Sequence, residues 1–107
     1  MPIDEVTVAA LSQKLNPSIA LIDVREINEY ESGHVPGAVN LPLSELPARI
    51  SEVPKTTVYF ICRSGSRSMQ ACEFCVDVGI TDVKNVVGGT MGWISAGNEI
   101  VLGGQIR

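Results

Sequence analysis

A chain of 107 residues, 45% hydrophobic and 19% charged, has the apolar content to bury one core and too little length for two, so residues 1–107 are expected to form a single domain rather than a disordered chain. The formal net charge of −4 disfavours nucleic acid as a partner, and an anion-binding site on so acidic a chain must concentrate its positive potential locally. No apolar run approaches the roughly 18 residues that span a bilayer, and the first ten residues carry Asp4 and Glu5 but no Lys or Arg, so neither a membrane partner nor a secretory signal is read and the expected compartment is the cytoplasm.

In chain order, residues 6–8 read as a short strand and Thr7 as the cap of a helix over 8–15, stopped by Asn16-Pro17. IALIDV (19–24) is a buried strand. A short helix over 26–32 ends at Gly33, residues 39–41 form a brief strand, and Ser44 caps a helical turn running to Ile50. TVYFI (57–61) is a strand of β-branched and aromatic residues, followed by a helix over 66–78. A strand over 84–87 and a helix over 91–96 complete the reading, and the tail after Gly97 is left unassigned. Continuous apolar strands separated by helices imply an α/β fold of three layers, with a mostly parallel central sheet covered by helices on both faces. Ligand sites in such sheets lie beyond the carboxyl ends of the strands. That rule selects Asp23 to Arg25, Cys62 to Arg67 and Gly88 to Thr90.

The second of these carries the chemistry. Cys62-Arg63-Ser64-Gly65-Ser66-Arg67-Ser68 joins a strand to a helix. A thiol facing a helix N-terminus feels the positive end of its dipole. Loop amides can converge on an anion, Gly65 permits a tight turn of positive φ, the serines suit helix capping, and Arg63 and Arg67 add full charges. Each feature favours thiolate, the nucleophilic form. A cysteine that merely ended a buried strand would need none of them, so Cys62 is read as a reactive nucleophile.

The remaining candidates carry blander readings. Three cysteines without a signal peptide do not suggest a disulfide scaffold. Cys72 and Cys75 lie inside the helix, away from the polar face formed by Gln70, Glu73 and Asp77, and are read as core. Asp23 and Arg25 are read as a supporting pair, an ion pair that fixes a turn ahead of any part in donor binding. Glu26, Glu29 and Glu31 are read as a solvated helix face. His34, the only histidine, sits in a turn and is read as architectural, and no metal site is expected. Gly88 and Gly89 let backbone approach the Cys62 loop closely. Trp93 is either core or a wall of the pocket mouth.

CRSGSRS resembles the active-site loop of the rhodanese family. LIDVRE (21–26), GHVPGAVNLPL (33–43) and NVVGGTMGW (85–93) resemble further rhodanese motifs in the same order, so the likeness runs from about residue 7 to 96. The resemblance implies a rhodanese-like fold and a ping-pong sulfurtransferase, with no cofactor. Cys62 would carry sulfur as a persulfide between a small anionic donor such as thiosulfate and an acceptor, either cyanide or a thiol (a small thiol or a thioredoxin-like protein). The amides of Arg63, Ser64, Gly65, Ser66 and Arg67 would hold the outer sulfur, and the two arginines would orient the donor.

The alternatives are a sulfur-relay carrier for biosynthesis, a cysteine phosphatase or arsenate reductase of the same fold, and an interaction domain. Such phosphatases place five residues between cysteine and arginine. Here Cys62 and Arg67 enclose four, Arg63 to Ser66, a cradle suited to one sulfur atom and tight for a tetrahedral anion. The loop also lacks an acid to protonate a leaving alcohol. Degenerate interaction domains usually lose the cysteine, which is present here.

Overall fold

The computed structural model describes residues 2–104; Met1 and the end of the unassigned tail, 105–107, lie outside the described residues. Five strands, β1 (Asp4–Thr7), β2 (Ala20–Asp23), β3 (Val39–Asn40), β4 (Val58–Ile61) and β5 (Val83–Val87), form one sheet in the order β1-β5-β4-β2-β3. Every pairing in it is parallel, a stricter arrangement than the mostly parallel sheet expected. Four α-helices connect or flank them: α1 (Val8–Lys14), α2 (Ile27–Ser32), α3 (Ser66–Asp77) and α4 (Gly89–Ser95).

β4 explains the layering. All four of its residues are buried. Alternation along the strand sends Val58 and Phe60 into one core with Ile22, Ala71, Cys72 and Cys75, and sends Tyr59 and Ile61 into the other with Leu11, Leu21, Val86 and Trp93. α3 thus covers one face, and α1 with α4 the other. Cys72 and Cys75 are fully buried in the α3 core, while Gln70, Glu73 and Asp77 are exposed. Trp93 is 4% exposed and its indole N–H donates to Glu99 O at 2.7 Å, which places it in the core rather than at a pocket mouth.

Most boundaries shift by a residue or two. Thr7 does cap α1, its Oγ1 accepting the Ala10 N–H at 3.0 Å. Ser44 caps nothing. It lies inside the first of two 3-10 turns, Leu43–Glu45 and Pro47–Glu52, which replace the single helical turn expected. Pro47 lacks the N–H that a continuous helix needs, so the ladder breaks there. Among the described residues no helix is long and apolar enough to cross a membrane.

Candidate functional site

Cys62 follows the last residue of β4, and the alternation of that strand turns its side chain toward α3, where it is 1% exposed. Gly65 then reverses the chain at φ +119° and occupies the N-cap position of α3 without a side-chain cap, so the serines around it do not serve as caps. The reversal aims the start of α3 at the sulfur. Gly65 N–H donates to Sγ at 3.1 Å, and Ser68 Oγ, from the first turn of α3, lies 3.3 Å from it. Burial of the sulfur opposes ionisation. The Ser68 hydroxyl and the N–H groups of Ser68, Gly65 and Ser64 outweigh that penalty and hold the thiol below its ordinary range. Cys72 and Cys75 lack such donors. Burial, with the neighbouring charges of Cys75, Glu73 and Glu5, pushes Cys72 up to about 12, and burial pushes Cys75 up to about 11.

A second segment clamps the loop from behind. Thr90 N–H donates to Cys62 O at 2.8 Å and Met91 N–H to Arg63 O at 3.0 Å. Gly89 makes this approach possible: a Cβ there would lie 2.5 Å from Arg63 O and 2.6 Å from Cys62 O. The Thr90 hydroxyl is buried with no partner among the described residues. Asn85 of β5 holds the other side, donating from Nδ2 to Gly65 O at 3.2 Å and accepting the Ser68 hydroxyl on Oδ1 at 2.5 Å.

The arginines divide. Arg63 is exposed and makes no side-chain hydrogen bond or ion pair among the described residues. Arg67 is joined to Glu29 of α2 by two parallel bonds, Nη1 to Oε1 at 2.7 Å and Nη2 to Oε2 at 3.0 Å. Glu29 Oε1 also accepts the Glu26 N–H at 3.1 Å. The Arg67 guanidinium holds the Glu29 carboxyl down at about 2. Glu29 is therefore not part of a solvated helix face, because packing turns it toward the loop, whereas Glu26 and Glu31 are exposed.

Asp23 and Arg25 form a buried ion pair at the end of β2. Arg25 Nε donates to both carboxylate oxygens at 3.0 and 3.1 Å, and Nη2 donates to Oδ2 and to Gly33 O, each at 2.8 Å. The pair ties the turn after β2 to the turn after α2. His34 is 3% exposed, stacks on Tyr30 at 3.7 Å between ring centroids, and exchanges backbone hydrogen bonds with Val101. Among the described residues no group of three His, Cys, Asp or Glu side chains is placed to hold a metal ion. A cavity of about 640 Å³ lined by Ile50, Val53, Val78 and Ile80 lies at the amino ends of β4 and β5, away from the Cys62 loop.

Ser68, Asn85 and Glu29 are the site residues that reading the sequence missed. Ser68 carried a signal, as the last residue of the CRSGSRS segment. Asn85 carried a weaker one, a polar residue within an apolar strand.

The Rhodanese-like domain family model matches residues 7–96. The chain is 38% identical over 102 residues to a sulfurtransferase of Allochromatium vinosum, covering 92% of this chain and 95% of that one. It is 43% identical over 70 residues to a thiosulfate sulfurtransferase of Escherichia coli, covering 63% of this chain and 67% of the relative. The crystal structure of a rhodanese-related protein from Thermoplasma volcanium superposes with a TM-score of 0.85 at 30% identity, over 92% of this chain and 98% of that one.

Proposed function

The chain belongs to the rhodanese family, with sulfurtransferases among its relatives, and from that premise we propose that it transfers sulfane sulfur from thiosulfate or a similar donor to cyanide or a thiol acceptor through a persulfide on Cys62. The reading treats residues 1–107 as one rhodanese domain. One observation carries it: a buried sulfur at a strand end, facing several hydrogen-bond donors and kept below its ordinary pKa.

The Cys62 thiolate attacks the outer sulfur of the donor. In thiosulfate the S–S bond breaks and its electron pair leaves with sulfite. The new bond leaves the negative charge on the outer sulfur of the persulfide, where the amides from Arg63 to Arg67 offer donors that are already ordered and lose no side-chain entropy. Cyanide or a thiolate then attacks that outer sulfur, and Cys62 departs as thiolate. The donors facing Sγ thus assist both halves, since Sγ is nucleophile in one and leaving group in the other. Arg63, exposed and without a side-chain partner among the described residues, attracts the donor. Asp23 and Arg25 support the turn beside the loop without reaching the sulfur.

The same site suits phosphate chemistry poorly. Four residues separate Cys62 from Arg67, Arg67 is already occupied by Glu29, and a carboxyl held at about 2 is no general acid near neutral pH. A sulfur-relay carrier would use the same persulfide and differ only in its partners.

The test is thiocyanate formation from thiosulfate and cyanide, with intact mass after thiosulfate alone. The native chain should gain one sulfur and Cys62→Ser none, at unchanged thermal stability. Sulfur found on Cys72 or Cys75 instead, or hydrolysis of p-nitrophenyl phosphate exceeding sulfur transfer, overturns the reading.

A further inference from the structure

We propose that Glu29 sets donor specificity: by holding Arg67 at the rim of the Cys62 loop, it cancels one of the two rim charges, so the site takes sulfur from singly charged alkyl persulfides in preference to the dianion thiosulfate. The inference rests on the reading of Cys62 as a sulfur acceptor and names the class of donor.

Charge accounting at the loop motivates it. Three cations stand here, Arg25, Arg63 and Arg67, against four anions, Asp23, Glu29, the Cys62 thiolate and Glu5, whose Oε2 lies 3.3 Å from the Asn85 Nδ2 that holds Gly65 O. Arg25 uses its guanidinium on Asp23 and Gly33 O. Arg67 turns two nitrogens to Glu29, at 2.7 and 3.0 Å. The third bond to Glu29, from the Glu26 N–H at 3.1 Å, anchors the carboxylate to its own helix, so it is not a loose counter-ion that a substrate displaces at little cost. Among the described residues at the loop only Arg63 is left to meet an incoming donor whose charge also faces a thiolate.

Thiosulfate brings two negative charges, and its leaving group, sulfite, keeps both. Attack on it crowds three negative charges around one uncommitted cation. An alkyl persulfide R–S–S⁻ brings one. It gives its terminal sulfur to Cys62, and R–S⁻ departs with the electron pair of the broken S–S bond, so the count is lower by one throughout. Selection here works by a built-in repulsive element. One exposed apolar side chain belongs to the segment that clamps the loop: Met91, tied by its N–H to Arg63 O. An alkyl group can use such a neighbour and a sulfonate cannot.

Glu29→Gln separates charge from structure, because the amide oxygen still accepts from Arg67. Single-turnover loading of Cys62 is measured by intact mass with two donors, thiosulfate and the persulfide of 2-mercaptoethanol, at low and high salt. The native chain should favour the persulfide over thiosulfate more strongly than free cysteine does with the same two donors. Glu29→Gln should raise the second-order rate with thiosulfate about tenfold, change the persulfide rate less than twofold, and steepen the salt dependence for thiosulfate. Glu31→Gln, an exposed charge on the same helix, should change neither. Equal effects of Glu29→Gln on both donors overturn the inference, as does an equal effect of Glu31→Gln. A native donor ratio no higher than that of free cysteine overturns it without any variant. No sulfur on Cys62 from either donor overturns the sulfurtransferase reading itself, a result distinct from the others.

Discussion

The chemistry of Cys62 depends on where one hydrogen points. Asn85 Nδ2 faces two acceptors, Gly65 O at 3.2 Å and Glu5 Oε2 at 3.3 Å, which fixes the amide and turns Oδ1 to Ser68. Ser68 Oγ has a single hydrogen and two acceptors within reach, Oδ1 at 2.5 Å and Sγ at 3.3 Å. With a neutral thiol, S–H donates to Ser68 and Ser68 to Asn85. With a thiolate, the hydroxyl hydrogen swings to sulfur. Ser68→Ala removes that response. A hydrogen bond to a charged group is worth roughly 1.5–3 kcal/mol, so the Cys62 pKa should rise, and both half-reactions should slow by about tenfold. The pH profile of iodoacetamide alkylation reads the first effect, and loading by thiosulfate followed by discharge to a thiol reads the second. An unmoved profile would mean that the backbone amides hold the thiolate alone. In the native chain the same reagent should label Cys62 well before Cys72 and Cys75, whose burial keeps them protonated.

Among elements, the β5–α4 junction decides whether the loop keeps its shape. Gly89 adopts φ +59° with Arg63 O and Cys62 O close to where a Cβ would stand, and both contacts are backbone. Gly89→Ala must therefore push the loop off its clamp, costing more than about 2 kcal/mol together with most of the activity. Gly97 is the control. It has φ +83° and open space around it, so Gly97→Ala pays only conformational strain of about 1 kcal/mol and keeps sulfur transfer. Denaturant midpoints and loading rates for the two variants check this, and equal losses would refute the clamp. What was legible in the sequence follows the same division between local and distant. Apolar strands show in runs such as IALIDV and TVYFI, because a strand buried on both faces leaves a continuous signature. The loop shows because Cys62, Gly65 and the two arginines are neighbours in the chain. Glu29 meets Arg67 across 38 residues and Ser68 meets Asn85 across 17, and no periodicity reports contacts of that kind. The two 3-10 turns were missed because one proline splits what reads as a single amphipathic turn.

At the scale of the whole molecule, the same groups shape stability against pH. Glu29 is held at about 2 in the fold, below its ordinary 4.5, by the Arg67 hydrogen bonds and against a smaller opposing effect of burial. A depressed carboxyl contributes stability that is fully present above about 4.5 and is lost as pH falls from there toward 2. Its side chain is 30% exposed, so solvent screens the pair and the contribution is modest. Cys72 and Cys75 act at the other end with the opposite sign. Burial keeps them neutral up to about 12 and 11, whereas the unfolded chain ionises its thiols near the ordinary 9.0. Their contribution is present below about 9 and fades as pH rises toward 11 to 12, since ionisation then favours the unfolded chain. Thermal unfolding across pH should therefore show a plateau flanked by two declines, and variants assign them. Glu29→Gln should flatten the acid decline and leave the alkaline one. Cys72→Ala should do the reverse while lowering the plateau by on the order of 1 kcal/mol, the cost of a small cavity in the α3 core. The plateau and the flank of Cys72→Ala thus move in opposite senses, which no uniform loss of packing produces. An alkaline decline of unchanged steepness in that variant would show that other groups carry it and that the α3 core admits water to its thiols.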